Sequence, residues 1–404
     1  MDVLLISRCP PFPLYHGDRL IPFHVSRELA ARRHSIDLVA FYDNPVDLAD
    51  VPRYEEQFRS VTLIPEPRRS AASYWLRAQN PARRFPSRAE QSWSPEMWRA
   101  IKEKLSQRAY DVVHLFGGVQ VYEYRQLVAP LPNVIVPYES YSLWLDRAIA
   151  EARSPVARMA ARLRQGMARR YERFMFEGYD RVIVLTDRDA DALRALDANT
   201  PTVTIPNGVD IDYFTPSGYE PDEPALLFTG NYDYPPNLDA ALRLVRDIFP
   251  RVKQVVPEAR LYLAGGNPPE RLRAYACESI AITGRVPDLR PYFESTLLYA
   301  SPLRMGAGIK NKILETLAMQ TPVVASPLSC DGIPVRDGEH VLLATDDDAF
   351  VEQILLLLRT PHLRATLAEN GRRLVEEQFT WQRVADLYEE LYLRIIRERL
   401  EDEA

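Results

Sequence analysis

The feature that most constrains this chain is a recurring alternation. Short, β-branched apolar runs are separated by stretches with helical spacing. VLLIS (3–7) is followed by a Pro/Gly loop from Cys9 to Gly17, a helical pattern from about Arg19 to Arg33, and a second apolar run, IDLVAFY (36–42). Strand, loop, helix, strand is a βαβ unit, and its crossover forces neighbouring strands parallel with helices over the faces. Further buried runs follow at DVVHLF (111–116), NVIVPYE (133–139) and RVIVLT (181–186), and residues 145–177 read as one long Arg- and Ala-rich helix. The alternation then restarts with ALLFTG (225–230), ARLYLAGG (259–266), IAIT (280–283), LLYASP (297–302) and PVVAS (322–326), with helices over 237–256 and 309–320.

A restart implies two domains, and 404 residues suit two cores better than one. The turn-rich stretch NGVDIDYFTPSGYEPDEP (207–224) reads as the linker. The expected division is 1–207, then 208–380, then a last amphipathic helix over 381–404. Two such α/β domains on one linker are expected to form a cleft. Ligands of parallel sheets bind beyond the C-terminal strand ends, so motifs in those loops carry functional weight.

Three scattered cysteines (Cys9, Cys277, Cys330) make neither a disulfide framework nor a metal cluster. The apolar run before Arg8 is too short for a signal peptide or a membrane span, so a soluble or peripheral cytoplasmic protein is expected. Net charge is −6 but uneven: residues 1–205 hold 29 Lys+Arg against 25 Asp+Glu, and the remainder holds 21 against 31. A basic half beside an acidic half argues against a general nucleic-acid binder. It leaves room for a local anionic contact on the first half. Residues 68–108 hold ten Lys+Arg with Trp75, Trp93 and Trp98 interleaved, and residues 145–173 hold eight Arg. An anionic membrane surface is one possible partner for these stretches; a solvated arginine-rich surface is the other reading.

The densest motif is SPLRMGAGIKNKILETLAMQTPVVAS (301–326). Gly306 and Gly308 allow close backbone approach to a ligand. The helix beginning near Ile309 turns its N–H groups and dipole toward the loop, and Lys310 and Lys312 add charge there. A diphosphate fits all three features. Glu315, near Lys312 on the helix surface, is placed to accept two ribose hydroxyl protons. An ordinary βα turn with solvated lysines accounts for the same residues without a ligand, because a lone G-x-G is a weak pattern.

GAGIKNKILETLAMQTPVVAS resembles the donor-site signature of the GT-B glycosyltransferases of retaining family 4, the group 1 glycosyl transferases. Glu315 matches the glutamate that holds the donor ribose in that family. The family's first glutamate falls on Ala307, and Thr321 replaces the glycine before Pro322. G-x-G-x-K-x-K-x-L-E is similar instead to a bacterial, exopolysaccharide-associated subgroup in which lysines stand in for that glutamate. IPNGVDIDYFTP (205–216) resembles the family's interdomain phrase, though Asn207-Gly208 is equally a plain turn. In LFTGNYDYPPNLDAALRL (227–244), Gly230, Asn231 and Asp233 occupy the loop where the family usually carries an Arg and a Lys, with Asn237 as a helix N-cap. ITGRVPDLRPYF (282–293) resembles the base-contacting loop, which implies Arg285 and Val286, or else a structural turn.

The resemblance implies that donor contacts come from Gly230, Asn231, Asp233, Arg285, Val286, Gly306, Ala307, Gly308, Ile309, Lys310, Lys312 and Glu315. In the first domain, His16 and Gly17 lie in the loop that replaces the family's glycine-rich one. His114 matches the first histidine of an H-x-H whose second place is Phe116, and Glu139 follows the next strand; these four are the acceptor-side candidates. Core packing explains His114 and capping explains Glu139 without any chemistry. Catalytic candidates are Lys310, Lys312, Glu315, His114 and Glu139. The resemblance further implies two Rossmann-like domains facing across a cleft, with helix 381–404 crossing back to the first. It implies retaining, metal-independent transfer from a nucleoside-diphosphate sugar, with no other cofactor and no nucleic acid. The acceptor class expected is a carbohydrate or lipid-linked sugar of envelope or extracellular polysaccharide. A sugar-nucleotide epimerase and a non-catalytic nucleotide-sugar binder remain the alternatives.

Overall fold

The computed structural model describes residues 1–14, 17–49, 51–54, 56–150, 154–219 and 221–402. The chain divides into two compact units, Met1–Asn207 with Trp381–Ala404, and Gly208–Thr380.

The first unit is built on a seven-stranded, fully parallel sheet. In chain order its strands are β1 (Asp2–Ser7), β2 (Ser35–Tyr42), β3 (Ser60–Pro65), β4 (Val112–Phe116), β5 (Asn133–Tyr138), β6 (Arg181–Val184) and β7 (Thr202–Thr204), arranged β3-β2-β1-β4-β5-β6-β7. The central strands are buried on both faces, so they read as unbroken Val/Ile/Leu runs rather than alternating ones. Leu4, Ile6, Val113, Leu115 and Ile135 pack on one face against Trp98, Tyr122 and Tyr124. The C-terminal helix Trp381–Asp402 packs beside helix Gly17–Ala31, with Trp381 stacked on His24 at 4.5 Å between ring centres. Glu389 holds Arg32 (2.8 Å) and His34 (2.9 Å), and Arg181–Glu398 (2.7 Å) and Arg399–Asp180 (2.8 Å) fasten the same helix further along.

The second unit repeats the arrangement with six parallel strands: β8 (Ala225–Thr229), β9 (Arg260–Ala264), β10 (Ile280–Gly284), β11 (Leu298–Ser301), β12 (Val323–Ala325) and β13 (Leu342–Leu343), ordered β10-β9-β8-β11-β12-β13. Both orders are those of Rossmann-type sheets, in which the chain starts centrally, winds to one edge, then returns and winds to the other.

Three strands are absent from the sequence reading: β3, β7 and β13. Each is an edge strand bonded on one side only, short or half-exposed, and so lacks the continuous apolar run of a central strand. The helix expected over 145–177 is instead two, Tyr141–Ala150 and Pro155–Phe174, with Pro155 in the first turn of the second, where a missing N–H costs nothing. Among the described residues no helix is long and apolar enough to cross a membrane.

Candidate functional site

In a sheet of this order the loops leaving the two central strands diverge, which opens a crevice at their C-terminal ends. In the second unit those strands are β8 and β11, so the crevice is bordered by residues 230–234 and 302–310. The β8 loop is held against the end of β9. Gly230 N–H donates to Ala264 O (3.0 Å) and Tyr232 N–H to Gly266 O (2.9 Å). The approach is so close that a Cβ on Gly265, whose φ is +148°, would lie 1.9 Å from Gly230 O. The Asn267 amide donates to Asp233 Oδ2 (2.5 Å) and to Asn231 Oδ1 (3.3 Å), fixing both side chains. Asn237 does not cap the following helix, contrary to the sequence reading. Helix Pro235–Arg243 begins two residues earlier, and the Asn237 amide donates back to Asn231 O (2.9 Å), pinning the loop.

The β11 loop closes the other side. Gly306 (φ +119°) and Gly308 (φ +67°) adopt the left-handed region that favours glycine, and a Cβ on Gly306 would sit 3.6 Å from the Tyr234 hydroxyl. Ala307 and Ile309 are buried. Arg304 grips Asp239 through two 2.7 Å bonds, tying this loop to helix Pro235–Arg243. Neither Arg304 nor Asn267 stands out in the sequence, because each acts on a partner distant in the chain. The signal that could have found Asn267 is the Gly265-Gly266 pair that ends β9.

The two lysines behave differently. Lys310 curls over its own loop and donates to Ala307 O (2.6 Å) and Gly308 O (2.5 Å), so it braces the glycine turn. It also occupies the N-cap of helix Asn311–Ala318 without a side-chain cap, which leaves that end open toward the loop. Lys312 and Glu315, one turn apart on that helix, are half-buried, and among the described residues no hydrogen bond or ion pair engages either charged group. Burial pushes the Lys312 ammonium below its ordinary value, partly opposed by Glu315. Burial likewise pushes the Glu315 carboxyl up, partly opposed by Lys312. Two titratable groups are thus half-withdrawn from water, each partly compensated by the other's field, an arrangement suited to a ligand bearing both an anion and hydroxyls.

Arg285 is exposed just after β10; a Cβ on Gly266 would approach its Nε to 4.0 Å, so it borders the same loops, with half-buried Val286 beside it. Gly230, Asn231, Asp233, Arg285, Gly306, Gly308 and Lys310 are therefore linked through contacts at four neighbouring strand ends, those of β10, β9, β8 and β11. Among the described residues no three His, Cys, Asp or Glu gather as metal ligands.

The first-unit candidates are arranged otherwise. His16 lies outside the described residues, and Gly17 opens helix Gly17–Ala31. Glu139 is half-buried directly after β5. His114 is 1% exposed, stacked on Phe116 at 3.9 Å and hydrogen-bonded through Nδ1 to the Tyr392 hydroxyl of the C-terminal helix. Burial holds its pKa well below the ordinary histidine value, so it is neutral. Its Nε2 has no partner among the described residues. His114 thus sits beneath the C-terminal helix rather than at a strand-end opening. A further charged group at that unit's strand ends is one the sequence reading passed over. Arg8, immediately after β1, pairs with Asp18 (3.3 Å), whose carbonyl accepts from the Tyr138 hydroxyl (2.9 Å). Gly117 (φ +114°) is required there, since a Cβ would lie 2.6 Å from the Arg8 side chain.

Two family descriptions match the chain: Glycosyltransferase Family 4 over residues 23–213 and Glycosyl transferases group 1 over residues 223–360. A phosphatidyl-myo-inositol mannosyltransferase of Mycobacterium leprae is 30% identical over 201 residues, which is 47% of this chain and 53% of that protein. The chain thus spans about half the length of such curated relatives. Among solved structures, sucrose-phosphate synthase from Thermosynechococcus elongatus superposes with a TM-score of 0.75 at 20% identity, covering 98% of this chain and 99% of that one. The Anabaena protein HepE in complex with UDP gives 0.68 at 14% identity, covering 97% and 99%. At these identities the structural likeness establishes the fold, two Rossmann-like domains of the GT-B type.

Proposed function

Since the chain belongs to the group 1, family 4 glycosyltransferases, we propose that it transfers a sugar from a nucleoside-diphosphate donor to a carbohydrate or lipid-linked acceptor. The observation that supports this most is the Lys312–Glu315 pair, half-buried and unpartnered beside the glycine turn where the strand order of the second sheet reverses. A diphosphate over the loop supplies the anion that Lys312 lacks, and a ribose supplies hydroxyl donors to Glu315. Lys310 acts chiefly by keeping the Gly306–Gly308 turn in shape, so that its amides and the open end of helix Asn311–Ala318 face the phosphates.

In the chemical step, negative charge grows on the departing diphosphate. Lys312 and the loop amides stabilise that charge where it develops, which is the electrostatic task of such a site. The departing phosphate oxygen, on the same face as the incoming hydroxyl, accepts the acceptor's proton, giving retention without a carboxylate dyad or a metal. We assign acceptor recognition to the first unit's loops, with Arg8 and Glu139 as its polar groups and Gly17 at the helix entrance, and give His114 a positioning role. The mannosyltransferase relative favours a mannosyl donor and a lipid-linked envelope acceptor.

The test is turnover of a panel of nucleoside-diphosphate sugars with and without polyprenyl-phosphate- and phosphatidylinositol-type acceptors, following diphosphate release and the anomeric configuration of the product by NMR. Acceptor-dependent release with retention is expected. Isomerisation of the donor without an acceptor would instead identify an epimerase, and no turnover at all would leave a nucleotide-sugar binder.

A further inference from the structure

We propose that Tyr141 and Trp144 form a stacking platform for a pyranose ring of the acceptor, a reading that rests on the acceptor role given above to the first unit's loops. The two residues lie one turn apart on helix Tyr141–Ala150, which begins just past the end of β5. Ser142 and Leu145 form the buried side of that helix. Tyr141 is 48% exposed and Trp144 half-buried, and their rings lie within 14° of parallel with centres 5.6 Å apart. Rings held parallel at the surface offer an extended π-face rather than a scatter of apolar atoms.

The backbone beneath the pair is strained and tightly held. Pairing of β5 with β6 changes register between Ile135 and Tyr138, and Tyr138 has φ +73°, a left-handed conformation rare for so bulky a residue. The Tyr138 hydroxyl ties this turn to the helix after β1 by donating to Asp18 O (2.9 Å). Glu172, 3% exposed, accepts from Ser140 Oγ (3.2 Å) and Ser142 N–H (3.3 Å), and the buried Asp189 accepts from Ser140 N–H (2.9 Å). Burying two carboxylates is costly, and both hold the residues that flank Tyr141. Strain and buried carboxylates gathered under one exposed ring pair mark a surface held ready for a ligand.

The ring pair indicates the ligand class. A pyranose carries C–H bonds on its faces and hydroxyls round its rim, so its face settles on the electron-rich face of an aromatic ring. The rim hydroxyls are donors for the carboxylate of Glu139, which stands two residues before Tyr141. An acyl chain gains nothing from a π-face that an aliphatic side chain would not give.

The experiment is saturation-transfer NMR on the full chain without donor, titrating maltotriose, cellotriose and mannotriose to about 20 mM. Stacking reads the ring face more than the hydroxyl pattern, so at least one probe should bind, with its ring C–H protons most strongly saturated. Tyr141→Phe should bind that probe like the wild type. Tyr141→Leu and Trp144→Ala should each weaken it about fivefold or more, whereas Trp75→Ala, at an exposed tryptophan of helix Ala71–Gln79, should leave it unchanged. Melting curves confirm that each variant is folded, and calorimetry with UDP, GDP, ADP and dTDP should show diphosphate binding unaltered in the ring variants. No probe bound over that range, binding that survives both Tyr141→Leu and Trp144→Ala, or Tyr141→Leu matching Tyr141→Phe would overturn the proposal. Diphosphate binding lost with the rings would overturn it in favour of a base-stacking role. A chain that binds diphosphate but no probe fails this proposal alone; one that binds a probe at these rings but no diphosphate upholds the platform and sinks the transferase reading.

Discussion

Replacing Lys312 with methionine should move stability and ligand binding in opposite directions. The side chain keeps its length and apolar stem but loses an ammonium that is half-buried and, among the described residues, engaged by no hydrogen bond or ion pair. Removing a half-buried ammonium whose one compensation is the field of Glu315 stabilises a fold by about 1 kcal/mol, offset in part by what Glu315 loses when that neighbour disappears. For a unit the size of Gly208–Thr380, 1 kcal/mol corresponds to a melting shift of about 2–4 °C. The empty Lys312→Met protein should therefore melt at least as high as wild type, and Lys312→Met with Glu315→Gln higher still. Binding runs the other way. A charge-assisted hydrogen bond to phosphate is worth about 1.5–3 kcal/mol, so diphosphate affinity should fall about 10- to 150-fold. Because the folded Lys312 pKa lies below 10.5, the unfolded chain holds more protons between the two values. Wild-type stability should rise with pH across that window, and the methionine variant should lack the rise. Thermal melts with and without nucleoside diphosphate, together with calorimetry, read all three effects. A variant that melts several degrees lower when empty and binds diphosphate normally would refute the reasoning and make Lys312 a structural residue.

Three further outcomes follow from the same geometry. Burial raises the Glu315 carboxyl above 4.5, so the folded state holds the extra proton between 4.5 and the raised value; the stability advantage of Glu315→Gln should vanish below that window and grow as pH rises through it, measured by urea melts against pH. Gly265→Ala should cost about 3 kcal/mol or more, because its Cβ would meet Gly230 O at 1.9 Å from a backbone at φ +148°, and a denaturation midpoint change of that size is the readout. Tyr392→Phe should cost about 1–3 kcal/mol by leaving the buried His114 Nδ1 without its partner, whereas His114→Phe with Tyr392→Phe should recover part of that loss.

The central strands of both sheets were legible because burial on two faces demands uninterrupted β-branched runs, as in VLLIS and RVIVLT. Three of the four edge strands were not, since β3, β7 and β13 bond on one side and carry mixed or very short runs, whereas the fourth, β10, was read from IAIT. Ser154-Pro155, a good helix start, was the signal that residues 145–177 hold more than one helix. At the candidate site, spacing announced the glycine turn and the Lys312–Glu315 pair. It did not announce that Lys310 folds back onto Ala307 and Gly308, since rotamer choice follows from local packing. Asn267 and Arg304 act through partners 34 and 65 residues away, which sequence spacing does not encode. His114 was ambiguous because a histidine within a buried strand reads the same whether the space above it is open or, as here, filled by a helix from the other end of the chain.

The measurement that tests the central claim most directly is calorimetric titration of the full chain with UDP, GDP, ADP and dTDP, alongside Lys310→Ala, Lys312→Ala and Glu315→Ala. The account predicts that one diphosphate binds, that Lys312→Ala and Glu315→Ala each weaken it by about tenfold or more, and that saturating ligand at 100 times its dissociation constant stabilises the wild type by about 2.7 kcal/mol. No binding of any of the four at millimolar concentration, or binding indifferent to both Lys312→Ala and Glu315→Ala, would contradict it.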